Sequence, residues 1–270
     1  MTLFTQQYPA TLARQERNIP LVLLHGWGLN HHVWSAVAEQ LQTQRPVMSL
    51  DLPGHGRSSM PTTGYALQDV TAMIASSIKH AYAGKKVILL GWSLGGLLAM
   101  TLAIHQQELL AGLVLLSSTP RFVKDSDWPY GMSAEVLAGF ARELEKDYQS
   151  TVQRFLALQS MGSLRAKQEI QFLRQALLDE QHAPQAEALA GGLRLLQDVD
   201  MRTEVKHIHC PTLIINGERD RLVNPDSGTL LSQWIPQAKH VLIKGAGHAP
   251  FISHQETFVE LVERFCNKHG

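Results

Sequence analysis

Residues 86–97 read KVILLGWSLGGL. Val87–Leu90 is a short apolar run of the kind that forms a buried strand. Gly91-Trp92-Ser93-Leu94-Gly95 follows, and then LLAMTLAIHQQ (97–107) reads as a helix. A strand must therefore turn sharply into a helix around a serine with glycine two residues to either side. The glycines suit a turn where backbone segments come unusually close. A strained turn lifts the Ser93 hydroxyl above the sheet edge. The amides at the start of the following helix favour negative charge developing at that point. Ser93 is read as a nucleophile, and G-x-S-x-G between strand and helix is the sequence context for one.

Outward from this turn, short apolar runs alternate with helical patterns. LVLLH (21–25), PVMSLD (46–51), KVILLG (86–91), GLVLLSS (112–118), TLIING (212–217) and HVLIKG (240–245) are strand-like and mostly apolar on both faces. Val70, Met73, Ile74 and Ile78 recur at helical spacing, and Gly84 is placed to end that helix. Alternating strands and helices predict an α/β fold, a mostly parallel sheet flanked by helices. The rhythm stops near Pro120. Residues 133–162 and 163–181 read as amphipathic helices, with Ser133 and Ser163 as expected N-caps. The rhythm resumes at CPTLIINGERD. The expected organisation is a core of residues 1–120 and 195–270, interrupted by a helical lid at 121–194.

Composition excludes several classes. Lys plus Arg equals Asp plus Glu at 24 each in 270 residues, which gives no general attraction to nucleic acid or an acidic membrane surface. Cys210 and Cys266 have neither metal spacing nor a disulfide framework, and no metal or cofactor is expected. The first 20 residues hold no apolar signal region, and no stretch approaches the ~18 apolar residues of a membrane span. A soluble cytoplasmic protein, monomeric, is the expectation.

A serine hydroxyl needs a base. The strand–turn–helix setting resembles that of the α/β-hydrolases, whose chain order is Ser, acid, His. His248, in the loop after the last strand-like run, is the expected base, with His254 as the weaker candidate. Asp220, just beyond TLIING, is the expected acid; Glu218 and Asp226 are its rivals. An acid there holds the imidazole in one tautomer. Two backbone amides must receive the oxyanion: that of Leu94, after the nucleophile, and that of Trp27 in LLHGWG (23–28). His25, His55 and Arg57, in HGWG and DLPGHGRS (51–58), are read as packing groups.

These motifs and their order resemble the α/β-hydrolase superfamily over essentially the whole chain. LVLLHGWGLN, GWSLGGL, VLAGF, TVQRFLALQSMG and HAPFISH together look like the pimeloyl-[acyl-carrier protein] methyl ester esterases of biotin biosynthesis. That resemblance implies hydrolysis of a methyl ester on a pimeloyl chain borne by acyl carrier protein. It implies Ser93, Asp220 and His248 as triad. It implies substrate contacts at Trp27, Leu94, Phe155, Leu156, Ala157, Leu158, Gln159 and His248. The family's basic lid residues match Arg154 and Lys167, whereas Ser150 and Gln171 depart from the pattern. Arg154, Arg165, Lys167 and Arg174 make segment 154–174 basic inside a neutral chain, suited to an acidic carrier. The alternatives are a general esterase or other hydrolase acting on a free small molecule, and a ligand-binding protein without turnover.

Overall fold

The computed structural model describes residues 2–11, 18–175 and 183–269. In chain order the elements are β1 (Thr5–Tyr8), β2 (Leu21–Leu24), α1 (Ser35–Leu41), β3 (Val47–Leu50), α2 (Leu67–Ala81), β4 (Val87–Trp92), α3 (Leu94–His105) and β5 (Leu110–Leu116). Then come α4 (Ala134–Leu144), α5 (Tyr148–Gln159), α6 (Ala166–Gln175) and α7 (Ala186–Asp198). The chain closes with β6 (Thr212–Gly217), α8 (Asp226–Trp234), β7 (Ala238–Ile243), α9 (Pro250–Ser253) and α10 (Gln255–His269).

The strands form one sheet in the order β1-β3-β2-β4-β5-β6-β7. β1 is antiparallel to β3, and every other pairing is parallel. The six strand-like runs are β2 to β7. β2, β3, β4 and β6 are buried along their whole length, which is why their sequences are continuous apolar runs. The polar TQQY of β1 gave no such signal, because an edge strand buries little and holds on by backbone pairing. β5 and β7 end two residues before the sequence pattern suggests. Ser117 (φ 45°) and Gly245 (φ 74°) turn the backbone out of the extended region there.

The apolar run of β2 to β4 has a positional consequence. Order β3-β2-β4 means the chain winds outward in one direction from β2 and in the other from β4. The carboxyl ends of these two neighbours therefore flank a crevice, the usual ligand position in such sheets. The loops after β2, β4, β6 and β7 all leave the same edge.

Between β5 and β6 lies the helical insert. Ser133 caps α4, accepting from the Val136 amide at 3.2 Å. The stretch 133–162 breaks into two helices because Asp147 caps α5, accepting from the Ser150 amide at 3.0 Å. Ser163 lies three residues ahead of Ala166, where its Oγ accepts from the Arg165 amide at 3.1 Å and donates to Glu169 Oε1 at 2.7 Å. Residues 176–181 of that expected helix lie outside the described residues. α7 was not legible as a separate helix, and it runs to Asp198, past the expected boundary at 194.

Candidate active site

Ser93 connects β4 to α3 with φ 55° and ψ −116°, a conformation that side-chain-bearing residues rarely adopt. Its amide donates to Leu116 O at 3.0 Å, and the Ser118 hydroxyl donates to Ser93 O at 2.9 Å. The end of β5 thus holds the turn from beneath. The glycines are sterically required. A Cβ on Gly95 would lie 2.6 Å from both Leu24 O and His25 O, and one on Gly91 would strike the backbone of Gly95. A Cβ on Gly96 would collide with Ser118.

Asp220 and His248 are fully buried and in contact: His248 Nδ1 lies 2.8 Å from Asp220 Oδ2. A carboxylate only accepts, so Nδ1 carries the hydrogen and Nε2 presents its lone pair. Asp220 Oδ1 accepts from the amides of Leu222 and Val223 at 2.8 and 3.0 Å, which fixes the carboxylate plane. His248 Nε2 is buried and has no hydrogen-bond partner. Ser93 Oγ is not bonded to it in this structure; such bonds often tighten only around substrate. The two loops are nonetheless tied together, since Trp92 Nε1 donates to His248 O at 2.9 Å. Trp92, Trp34 and Phe251 pack as an aromatic group beside that loop.

The rival residues are occupied elsewhere. Glu218 is exposed and accepts from the Gly245 amide at 2.9 Å. Asp226 is exposed at the first turn of α8. His254 Nδ1 sits 3.0 Å from Ser253 Oγ.

The HGWG loop stands against the turn: a Cβ on Gly26 would lie 3.5 Å from Ser93 Cβ. His25 has both ring nitrogens committed. Nδ1 donates to Gly26 O at 2.8 Å and Nε2 accepts from the Leu52 amide at 2.9 Å. Burial pushes its pKa down to about 3, so the ring stays neutral and clamps the loop to the end of β3. His55 is buried with Nδ1 bonded to Pro53 O, and Arg57 stacks over Phe4. All three behave as packing groups.

The insert reaches this loop directly. Trp27 Nε1 donates to Leu189 O of α7 at 2.8 Å, and its ring packs on Phe155 of α5 at 4.6 Å between centroids. Phe140 of α4 meets Phe155 edge-on. Phe155, Leu156 and Gln159 face inward and are buried, Leu158 is half-buried, and Ala157 faces solvent. Gln159 is buried with both ends of its amide unpartnered. Of the basic residues, Arg154 is ion-paired with Glu143, and Arg165 Nη1 donates to Ser253 O at 2.6 Å. Lys167 and Arg174 lie exposed on α6. Ser118, Leu189 and Glu169 carry no sequence signal for their places here, because each matters through one contact with a distant segment.

The family profile described as alpha/beta hydrolase fold matches residues 19–255. The chain belongs to the alpha/beta hydrolase family. It is 39% identical over 254 residues to a pimeloyl-[acyl-carrier protein] methyl ester esterase of Yersinia pseudotuberculosis serotype IB (strain PB1/+), covering 94% of this chain and 95% of that one. It is 43% identical over 246 residues to the protein of the same name from Aeromonas salmonicida (strain A449), covering 91% and 94%. Among solved structures, an esterase from Exiguobacterium antarcticum superposes with a TM-score of 0.85 at 21% identity, covering 98% of this chain and 95% of that one. That likeness speaks to the fold alone.

Proposed function

We propose that this hydrolase is a serine carboxylesterase acting on the methyl ester of pimeloyl-[acyl-carrier protein], yielding methanol and pimeloyl-[acyl-carrier protein] for biotin biosynthesis. The substrate reading rests on the curated relatives, which match at 39–43% identity over 91–94% of this chain. The chemical reading rests on one observation: His248 has its Nδ1 committed to buried Asp220 and its Nε2 buried without a partner, beside the strained Ser93 turn.

In this reading Ser93 Oγ attacks the ester carbonyl carbon while His248 Nε2 takes its proton. The carbonyl oxygen becomes an oxyanion, received by the amides of Trp27 and Leu94. The tetrahedral intermediate collapses, and the methoxy group leaves with the proton from His248 as methanol. Water then gives a proton to His248 and attacks the acyl-enzyme. Collapse releases the free carboxyl end and returns the proton to Ser93. Asp220 holds the imidazole orientation and stabilises the imidazolium in both halves.

The insert acts as a lid. Phe140, Phe155 and Leu156, with the Trp27 ring, offer an apolar wall for a saturated acyl chain. Lys167 and Arg174 are the side chains best placed to meet an acidic carrier. Arg165 serves the lid's own attachment to α9, and Arg154 meets a carrier only by exchanging Glu143. This reduced basic face also favours a second reading, a general esterase for free small esters.

The test measures methanol release from the carrier-bound methyl ester and from free dimethyl pimelate, with Ser93→Ala as control. A strong preference for the carrier-bound ester supports the proposal. Equal kcat/KM on both returns the chain to the general esterases.

A further inference from the structure

Glu169 on α6 is the only glutamate among the described residues that is wholly buried. It belongs to the insert, yet the charges of His248 and Asp220 both reach it. The segment that carries it is pressed against the two catalytic loops. A Cβ on Gly247, the residue before His248, would lie 2.9 Å from Ser163 Cβ. One on Gly162 would run into the backbone oxygen of Arg219, the residue before Asp220. Ser163 in turn donates to Glu169 Oε1, while Oε2 is buried with no hydrogen-bond partner. A half-satisfied buried carboxyl costs stability, and a compensating charge nearby lowers that cost.

We propose that Glu169 is a positioning residue, a carboxylate delivered by the insert that stabilises the imidazolium of His248. The proposal rests on the triad reading above. Asp220 already holds Nδ1, so Glu169 acts through space and takes no proton from Ser93. Burial raises the Glu169 carboxyl above its ordinary value, while the Ser163 hydroxyl and the charge of His248 pull it back. Other charged groups face this cluster. Asp220, flanked by exposed Arg219 and Arg221, comes from the loop after β6, and His254 and Ser253 come from α9 and its end. Arg165 on the insert reaches Ser253 O. A charge carried by the insert links its closure to the strength of the base: when α6 lifts away, His248 loses that anion.

The experiment is the pH profile of kcat/KM for a neutral short-chain p-nitrophenyl ester, using the full chain. Removing a neighbouring anion disfavours the imidazolium, so Glu169→Gln moves the acid limb down by about 0.5–1 pH unit. That is a roughly three- to tenfold rise in the rate at acid pH relative to the plateau. Ser163→Ala, which removes the donor to Oε1, moves the limb the same way by less. It decides the matter if Glu169→Gln does not fold. A merely structural Glu169 lowers the melting temperature and leaves the limb in place; an unmoved limb overturns the proposal. Ser93→Ala and His248→Ala are run alongside. Activity in either sinks the triad reading, whereas inactivity in both with an unmoved limb sinks only the role of Glu169.

Discussion

Asp220→Asn separates the chemistry of the carboxylate from its architecture. Asp220 Oδ1 accepts two amides, at 2.8 and 3.0 Å, and an asparagine carbonyl can accept both in the same place. The asparagine NH2 then falls where Oδ2 stood, 2.8 Å from His248 Nδ1. Two donors cannot face each other, so the ring shifts its hydrogen to Nε2 and Nδ1 becomes the acceptor. Nε2 is then no longer able to accept from Ser93. The expected loss in kcat is about 10³–10⁴, or about 4–5.5 kcal/mol of transition-state stabilisation. The fold is kept, because the loop's two amide bonds survive. The assay is steady-state hydrolysis of p-nitrophenyl acetate beside a thermal melt. An Asp220→Asn enzyme within tenfold of wild type refutes the assignment. So does a larger loss from Asp226→Asn, whose carboxylate lies exposed on α8.

Ser93→Ala should lower kcat by about 10⁴–10⁶, and Ser93→Gly should be equally inactive yet melt higher, because glycine relieves a φ of 55° that costs of order 1 kcal/mol; equal melting temperatures would remove the strain argument. Acid should destabilise the protein from about pH 6.5 downward. His25 has a folded pKa near 3, below its unfolded value, so its contribution is complete above 6.5 and is lost at up to about 1.4 kcal/mol per pH unit as pH falls toward 3. Urea midpoints at pH 7, 6, 5 and 4 measure this, and a flat series contradicts the neutral buried imidazole. Replacing Lys167 and Arg174 by glutamine should lower kcat/KM for a carrier-bound ester, less so at high salt, and leave a free ester unchanged. Equal loss on both substrates would indicate disturbed packing of α6 instead.

The parts of this protein readable in one dimension are those whose physics is local or periodic. Strands buried on both faces wrote themselves as apolar runs, so β2 to β6 and the parallel sheet were legible, and β7 showed through its VLI run although it lies half-exposed at the sheet edge. The Ser93 turn was legible because the residue types of G-x-S-x-G stand together within five residues, although Gly95 answers to the backbone of Leu24 and His25. The order Ser93, Asp220, His248 was read from the α/β-hydrolase chain order rather than from any local property of the sequence. Other features depended on neighbours far away in sequence. β1 is polar and is a strand only because the edge of β3 offers its backbone partners. The direction of Arg165, turned onto Ser253 O rather than toward a carrier, is set by α9, 88 residues on. The charge of Arg154 is met by Glu143 on a separate helix. Glu169 reads as one more acid on an amphipathic helix until the insert folds back and buries it. Hydrophobic period and turn sterics are properties of a short window; burial of a charge is a property of everything packed around it, and only the tertiary structure assembles that.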